Sequence, residues 1–145
     1  MHAMWVHGHA AQSELAAKRL LQGDGVAYSG RPDEELWVHF AVPTPVIIAD
    51  QRPALVRAFV LFRTEGGAAI VKVGIWDGAR LAAEFDDLLL EGDHSQRLDE
   101  GNTFVIGSPF PVFWGIGISV LTRFGHQTLS KAGCVRFASA GADFE

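Results

Sequence analysis

A chain of 145 residues with 48% hydrophobic side chains suffices for one domain, residues 1–145, able to bury roughly 68–70% of its unfolded surface without a disulfide or metal staple. Its formal charge of −5, with no run of Lys or Arg, argues against a nucleic-acid partner, because phosphate binding needs a basic surface. The lone Cys134 cannot form an internal bridge, and no apolar stretch reaches the 18 or so residues of a membrane-crossing helix, so a cytoplasmic protein is expected.

The first eleven residues carry no Lys or Arg, and His2, His7 and His9 interrupt their apolar run, unlike a signal peptide. His2 to His9 reads as a strand with Ala3, Trp5, His7 and His9 on one face. Ser13 to Gln22 reads as a short helix. Ser13 stands as a cap, Glu14 and Lys18 form an i,i+4 pair, and Gly23 follows as a stop. Gly23-Asp24-Gly25 turns the chain into a short strand over Val26 to Ser29.

Leu36 to Val42 alternates, with Leu36, Val38, Phe40 and Val42 on one row and Trp37, His39 and Ala41 on the other. Pro43 and Pro45 stop ladder pairing, and Val46 to Ala49 is expected as a further short strand. Leu55 to Thr64 and Ala69 to Trp76 form a hairpin through Gly66-Gly67, and Asp77-Gly78 turns into a strand over Ala79 to Phe85.

Asp86 to Gly101 is an acidic loop, followed by a strand over Thr103 to Ile106. Phe110 to Phe124 is expected as one long central strand. Val112, Trp114, Ile116, Ile118, Val120, Thr122 and Phe124 form its core row, while Gly115, Gly117 and Ser119 make the other row small enough for close approach. Val135 to Ser139 closes the fold, and Ala140 to Glu145 reads as a tail.

Eight to ten strands with at most one helix predict an all-β, antiparallel β-sandwich of jelly-roll or Ig-like topology, with a closed barrel as second choice. Phe59, Leu61, Trp76, Phe113 and Leu121 put apolar groups on rows that a monomeric sandwich would leave polar. That pattern points to a homo-oligomer interface, a covering segment or a ligand pocket.

The candidate chemistry rests on histidines and tryptophans. His7 and His9, two apart on a strand, present both rings to one side. If that strand paired with the one carrying His39, three imidazoles would converge as ligands for zinc, copper, nickel or iron. His94 lies between Asp93 and Ser95, so it and His39 are the candidate general acid–base groups, with Asp93 as a partner; the bland alternative is a turn in which Asp93 bonds backbone amides. The carboxylates from Asp86 to Glu100 supply oxygens for calcium but lack the spacing of a calcium loop. Trp5, Trp37 and Trp76, with His2 and Arg57, are the candidate ligand-binding residues, Trp37 and Trp76 because they fall on the less apolar rows, where a ligand can stack.

The opening Met-His-Ala-Met-Trp-Val-His-Gly, the segment Trp37-Val-His-Phe-Ala-Val-Pro-Thr-Pro-Val46, Gly92-Asp-His-Ser95 and Gly117-Ile-Ser-Val120 resemble a family of small bacterial proteins of unknown function. The resemblance implies a compact stand-alone domain and marks His2, His7, His39 and His94 for testing. It also implies an alternating strand over residues 11–22, where the residues themselves read helical. Three functions follow as expectations: a small-ligand- or protein-binding sandwich that self-associates; a histidine-based isomerase, cyclase or hydrolase, metal-dependent or cofactor-free, acting on a small apolar substrate; and a sugar-binding module using tryptophan faces and the acidic loop.

Overall fold

The computed structural model describes residues 1–15, 18–125 and 133–145. Among the described residues twelve strands appear in chain order: β1 (His2–His7), β2 (Gln12–Ser13), β3 (Lys18–Gln22), β4 (Gly25–Gly30), β5 (Glu35–Val42), β6 (Ala54–Glu65), β7 (Ala69–Asp77), β8 (Arg80–Phe85), β9 (Asp93–His94), β10 (Thr103–Pro111), β11 (Ile116–Arg123) and β12 (Gly133–Phe144). The seven-stranded sheet runs β10–β6–β12–β4–β3, with β9 added to β6 and β1 to β12. The five-stranded sheet runs β2–β5–β11–β7–β8. All pairings between these strands are antiparallel, and the two sheets do not close into a barrel.

After β4 the chain changes sheet at each successive unit: β5, β6, the β7–β8 hairpin, β9–β10, β11, β12. Period-two alternation decides what lies between the sheets. Leu36, Val38, Phe40 and Val42 of β5 and Ile116, Ile118 and Val120 of β11 point inward against Ala58, Val60 and Phe62 of β6 and Val135, Phe137 and Ala140 of β12. Phe40 meets Phe137 edge-to-face across the layers, with centroids 5.4 Å apart. Each buried Leu, Ile, Val or Phe of these rows contributes roughly 1.5–3 kcal/mol, so the inner rows are fixed firmly and the outer rows are left for other work.

Four expectations need correction. The helix over Ser13–Gln22 does not form in its described part. Gln12–Ser13 pairs with β5, and Lys18–Gln22 pairs with β4 from Lys18↔Ser29 to Gln22↔Gly25; residues 16–17 lie outside the described residues. Helix propensity is worth only tenths of a kcal/mol per residue, so a neighbouring strand with open backbone groups overrides it.

The long strand over Phe110–Phe124 is two strands. Phe110 and Pro111 end β10 opposite Leu55 and Ala54, and β11 begins at Ile116 in the other sheet. Between them the buried Asp77 carboxylate accepts the N–H groups of Phe113, Trp114 and Gly115 at 2.8–2.9 Å, which takes those donors out of any ladder. Gly115 there has φ 152°, a conformation L side chains rarely adopt. Trp114, expected in the core row, is 74% exposed. Val46 to Ala49 is not a strand; only an isolated bridge, Ile48↔Gln51, forms there. Finally, Ala140–Phe144 is not a tail but the buried second half of β12, held between β1 and β6.

A groove on the outer face of the five-stranded sheet

The outward rows of β5, β11, β7 and β8 form a grid. Trp37, Leu121 and Lys72 stand at one level. His39, Ser119, Gly74 and Glu84 stand at the next, and Ala41, Gly117 and Trp76 at the third. Small side chains occupy the middle, so the face is hollow there. Two adjoining depressions of about 250 and 280 Å³ share His39, Trp76 and Ser119. One is walled by Trp37, Lys72 and Glu84, the other floored by Ala41 and Gly117. Gly74 is needed for this shape: a Cβ there would lie 3.3 Å from the Trp76 Nε1, so the indole lies over the glycine.

Trp37 and Trp76 stand at opposite corners. Two strand spacings and four residues of rise put their backbones about 16 Å apart. Trp37 lies parallel to the His39 ring at 9°, with centroids 6.3 Å apart, and Trp76 is 38% exposed. Between them the polar groups are ordered by mutual bonds. Ser119 Oγ lies 2.8 Å from His39 Nδ1, and His39 Nε2 lies 2.9 Å from Glu14 Oε1. Glu14 is brought there by β2, whose pairing with β5 continues as its N–H donates to the Trp37 carbonyl at 3.1 Å. Lys72 pairs with Glu84 and with Asp86, at 3.1 Å from the latter; these bonds outweigh desolvation and raise its ammonium above the usual range.

The other candidates lie elsewhere. β1 pairs with β12, not with the strand of His39, so His7, His9 and His39 do not converge. His7 instead accepts the His9 N–H on Nδ1 at 3.1 Å, capping the 3₁₀ turn Gly8–Ala10, and His9 Nε2 meets the Gln22 carbonyl. Among the described residues, no three His, Cys, Asp or Glu side chains cluster to hold a metal ion.

His94 and Asp93 sit on β9 in the opposite sheet from His39, so the three do not form one acid–base centre. Asp93 accepts from Ser95, through the hydroxyl and also through the backbone at 3.1 Å, and these bonds lower its pKa. His94 Nδ1 meets both Asp99 oxygens at 2.9 Å, and Nε2 meets the Glu91 carbonyl at 2.8 Å. Burial disfavours the charged ring, but Asp99 and the Glu91 carbonyl outweigh it and raise the pKa.

Trp5, Arg57 and His2 belong to the seven-stranded sheet. Trp5 stacks on Phe59 with centroids 5.0 Å apart, Arg57 pairs with Asp143 at 2.6 Å, and His2 stands opposite Phe144. Sequence reasoning had no role for Ser119 beyond its size, nor for Glu14, which it placed on a helix. The alternation that puts Ser119 on the row facing His39 was the available signal.

A family model matches residues 1–132 of the chain. The chain belongs to this family of unknown function, DUF6623. The match ends just before β12, the strand at the centre of the seven-stranded sheet. No curated protein matches the sequence.

Among solved structures, the DUF6623 chain is similar to the low-affinity xylan-binding module CBM86 from Roseburia intestinalis. The TM-score is 0.51 at 7% identity, over 100% of this chain and 97% of that one. It also matches an exo-β-1,3-galactanase from Phanerochaete chrysosporium (TM-score 0.46, 8% identity, 99% of this chain and 30% of that one). A carbohydrate-binding module CBM36, solved with calcium and xylotriose, matches with TM-score 0.38 at 12% identity, over 97% and 98% of the two chains. The first likeness is one of fold, an antiparallel β-sandwich; the other two are weaker. No helix among the described residues is long and apolar enough to cross a membrane.

Proposed function

We propose that this DUF6623 protein is a carbohydrate-binding sandwich whose groove on the five-stranded sheet holds a linear, neutral oligosaccharide. The carrying observation is the pair Trp37 and Trp76 bracketing a floor of Gly74, Gly117 and Ser119. An indole face offers flat apolar surface to the C–H face of a sugar ring, and the small floor lets hydroxyl groups reach His39, Glu14 and Glu84. Trp37 and Trp76 stand on strands two spacings, about 10 Å, apart across the sheet, wider than one sugar ring, so a short chain of sugars is needed to touch both. Carboxylates outnumber cations around the groove, with Glu14, Glu84 and Asp86 against Lys72, which disfavours acidic glycans. The xylan-binding module of the same fold makes xylan and its oligosaccharides the first probes.

Calorimetric titration with xylo-oligosaccharides, other neutral β-linked oligosaccharides and the corresponding monosaccharides tests the reading. Binding by the oligosaccharides and not the monosaccharides is expected, with Trp37→Ala and Trp76→Ala each weakening it by at least about tenfold and Trp5→Ala leaving it unchanged. Failure of the whole panel to bind, or binding indifferent to both groove tryptophans, overturns it.

Self-association is a second reading, favoured by one edge. β3 pairs only with β4 among the described residues and leaves Leu20 56% and Leu21 52% exposed. An open edge with two bare leucines is a template for the same strand of a second copy. Light scattering should give a mass above one chain that falls to a monomer in Leu20→Lys/Leu21→Lys; a wild-type monomer at high concentration refutes it.

A further inference from the structure

The groove floor contains an arrangement that binding does not require. Ser119 Oγ, His39 and Glu14 form an unbroken relay, 2.8 Å from hydroxyl to Nδ1 and 2.9 Å from Nε2 to carboxylate. In the neutral tautomer that satisfies both contacts, Nε2–H donates to Glu14 and Nδ1 accepts the serine proton. A nucleophile touching a base that a third group orients is the arrangement that activates hydroxyls for acyl transfer. Either imidazole nitrogen can exchange a proton, so having Nδ1 rather than Nε2 on the serine does not alter the chemistry.

The surroundings supply what the step needs besides these three groups. Gly74 is the cross-strand partner of Ser119, and Trp76 Nε1 lies over that glycine, so the indole N–H and the serine share one depression, the N–H being its candidate donor to an attacked carbonyl. Gly117, two residues from Ser119 on the same row, adds no bulk, and both residues line the same depression. His39 and Glu14 remain partly open to solvent, at 39% and 52%, so a chain lying from Trp37 to Trp76 would cover the relay and exclude water.

We infer that Glu14, His39 and Ser119 form an ester-cleaving centre, acting on an O-acyl group carried by a sugar chain in the groove. Ser119 Oγ attacks the acyl carbon as its proton passes to His39 Nδ1. The bond from that carbon to the sugar oxygen breaks, and the departing oxygen takes the proton from His39. Water then adds to the acyl-serine, with His39 again accepting and returning a proton, releasing a carboxylic acid and restoring the hydroxyl. The placing of the acyl group rests on the proposed glycan binding; the reactivity of the serine does not.

Two measurements separate them. Wild-type protein is treated with a fluorophosphonate probe and analysed by intact and peptide mass spectrometry, and hydrolysis of p-nitrophenyl acetate is followed. The expected result is a single adduct on Ser119 and ester hydrolysis well above the buffer rate. Ser119→Ala and His39→Gln should each lower that hydrolysis by roughly 100-fold, and Glu14→Gln by less. Ser119→Cys, which keeps a nucleophile of similar size, should retain acylation by the ester. No adduct under conditions that fully label an authentic serine hydrolase, or hydrolysis unchanged in Ser119→Ala, overturns the inference. An adduct on Ser119 in a protein that binds no glycan would keep the centre and discard the binding reading; the reverse pair of results would discard the centre alone.

Discussion

Replacing Asp77 with Asn should loosen the end of the sandwich that carries Trp76 and Trp114. The Asp77 side chain is fully buried, yet it stays ionised. Burial pushes its pKa up, but bonds from Gly115 N–H, the Arg80 guanidinium and the N–H groups of Phe113 and Trp114 more than cancel this and bring it from 3.8 to about 2. At 1.36 kcal/mol per unit, that difference corresponds to about 2 kcal/mol of stability at neutral pH.

Because the folded pKa is the lower one, the contribution is complete above the unfolded value of 3.8 and disappears as pH falls toward 2. Asparagine keeps the shape but turns an NH₂ toward N–H donors and leaves Arg80 without its counter-charge. The expected loss is therefore about 2–4 kcal/mol. Urea unfolding followed by tryptophan fluorescence at several pH values measures both quantities. The wild type should lose stability between about pH 5 and pH 2 more steeply than the variant. A variant within about 0.5 kcal/mol of wild type at neutral pH, or with an identical acid slope, would refute the idea that this carboxylate locks the loop.

Two other perturbations test the framework. His94 faces only acceptors, Asp99 and the Glu91 carbonyl, so the loop prefers the imidazolium, and the raised pKa means stabilisation below the ordinary histidine value that is lost as pH rises through the folded one. His94→Gln should thus narrow the gap between urea midpoints at about pH 5 and about pH 8.5, and an unchanged gap counts against the ring being charged. A Cβ on Gly8 would lie 2.0 Å from the Phe137 carbonyl oxygen, so Gly8→Ala should cost about 2–3 kcal/mol by forcing the 3₁₀ turn off β12, read as a lowered urea midpoint.

The all-β class and most of the inward and outward rows were legible in the residues, with the sandwich preferred to a barrel. Alternation in Leu36–Val42 and Ile116–Phe124 is enough to put Trp37, His39, Gly117 and Ser119 on outward faces, because a side-chain period of two leaves no choice once the apolar row is buried. It also marked Trp37 and Trp76 as available for a ligand.

Which outward faces would meet was settled only by tertiary pairing. The register of β11 between β5 and β7 brings Ser119 to His39 and Gly74, and β2 delivers Glu14 to the same place, residues separated by up to 105 positions in the chain. The same pairing separated His7 from His39 and turned Lys18–Gln22 into an edge strand. Local propensity is too weak to decide against a long-range ladder, and histidine spacing carries no information about which strand a segment will join. The kink at Val112–Gly115 had its cause 36 to 38 residues upstream of the N–H groups it holds, in a carboxylate whose burial no local pattern announced.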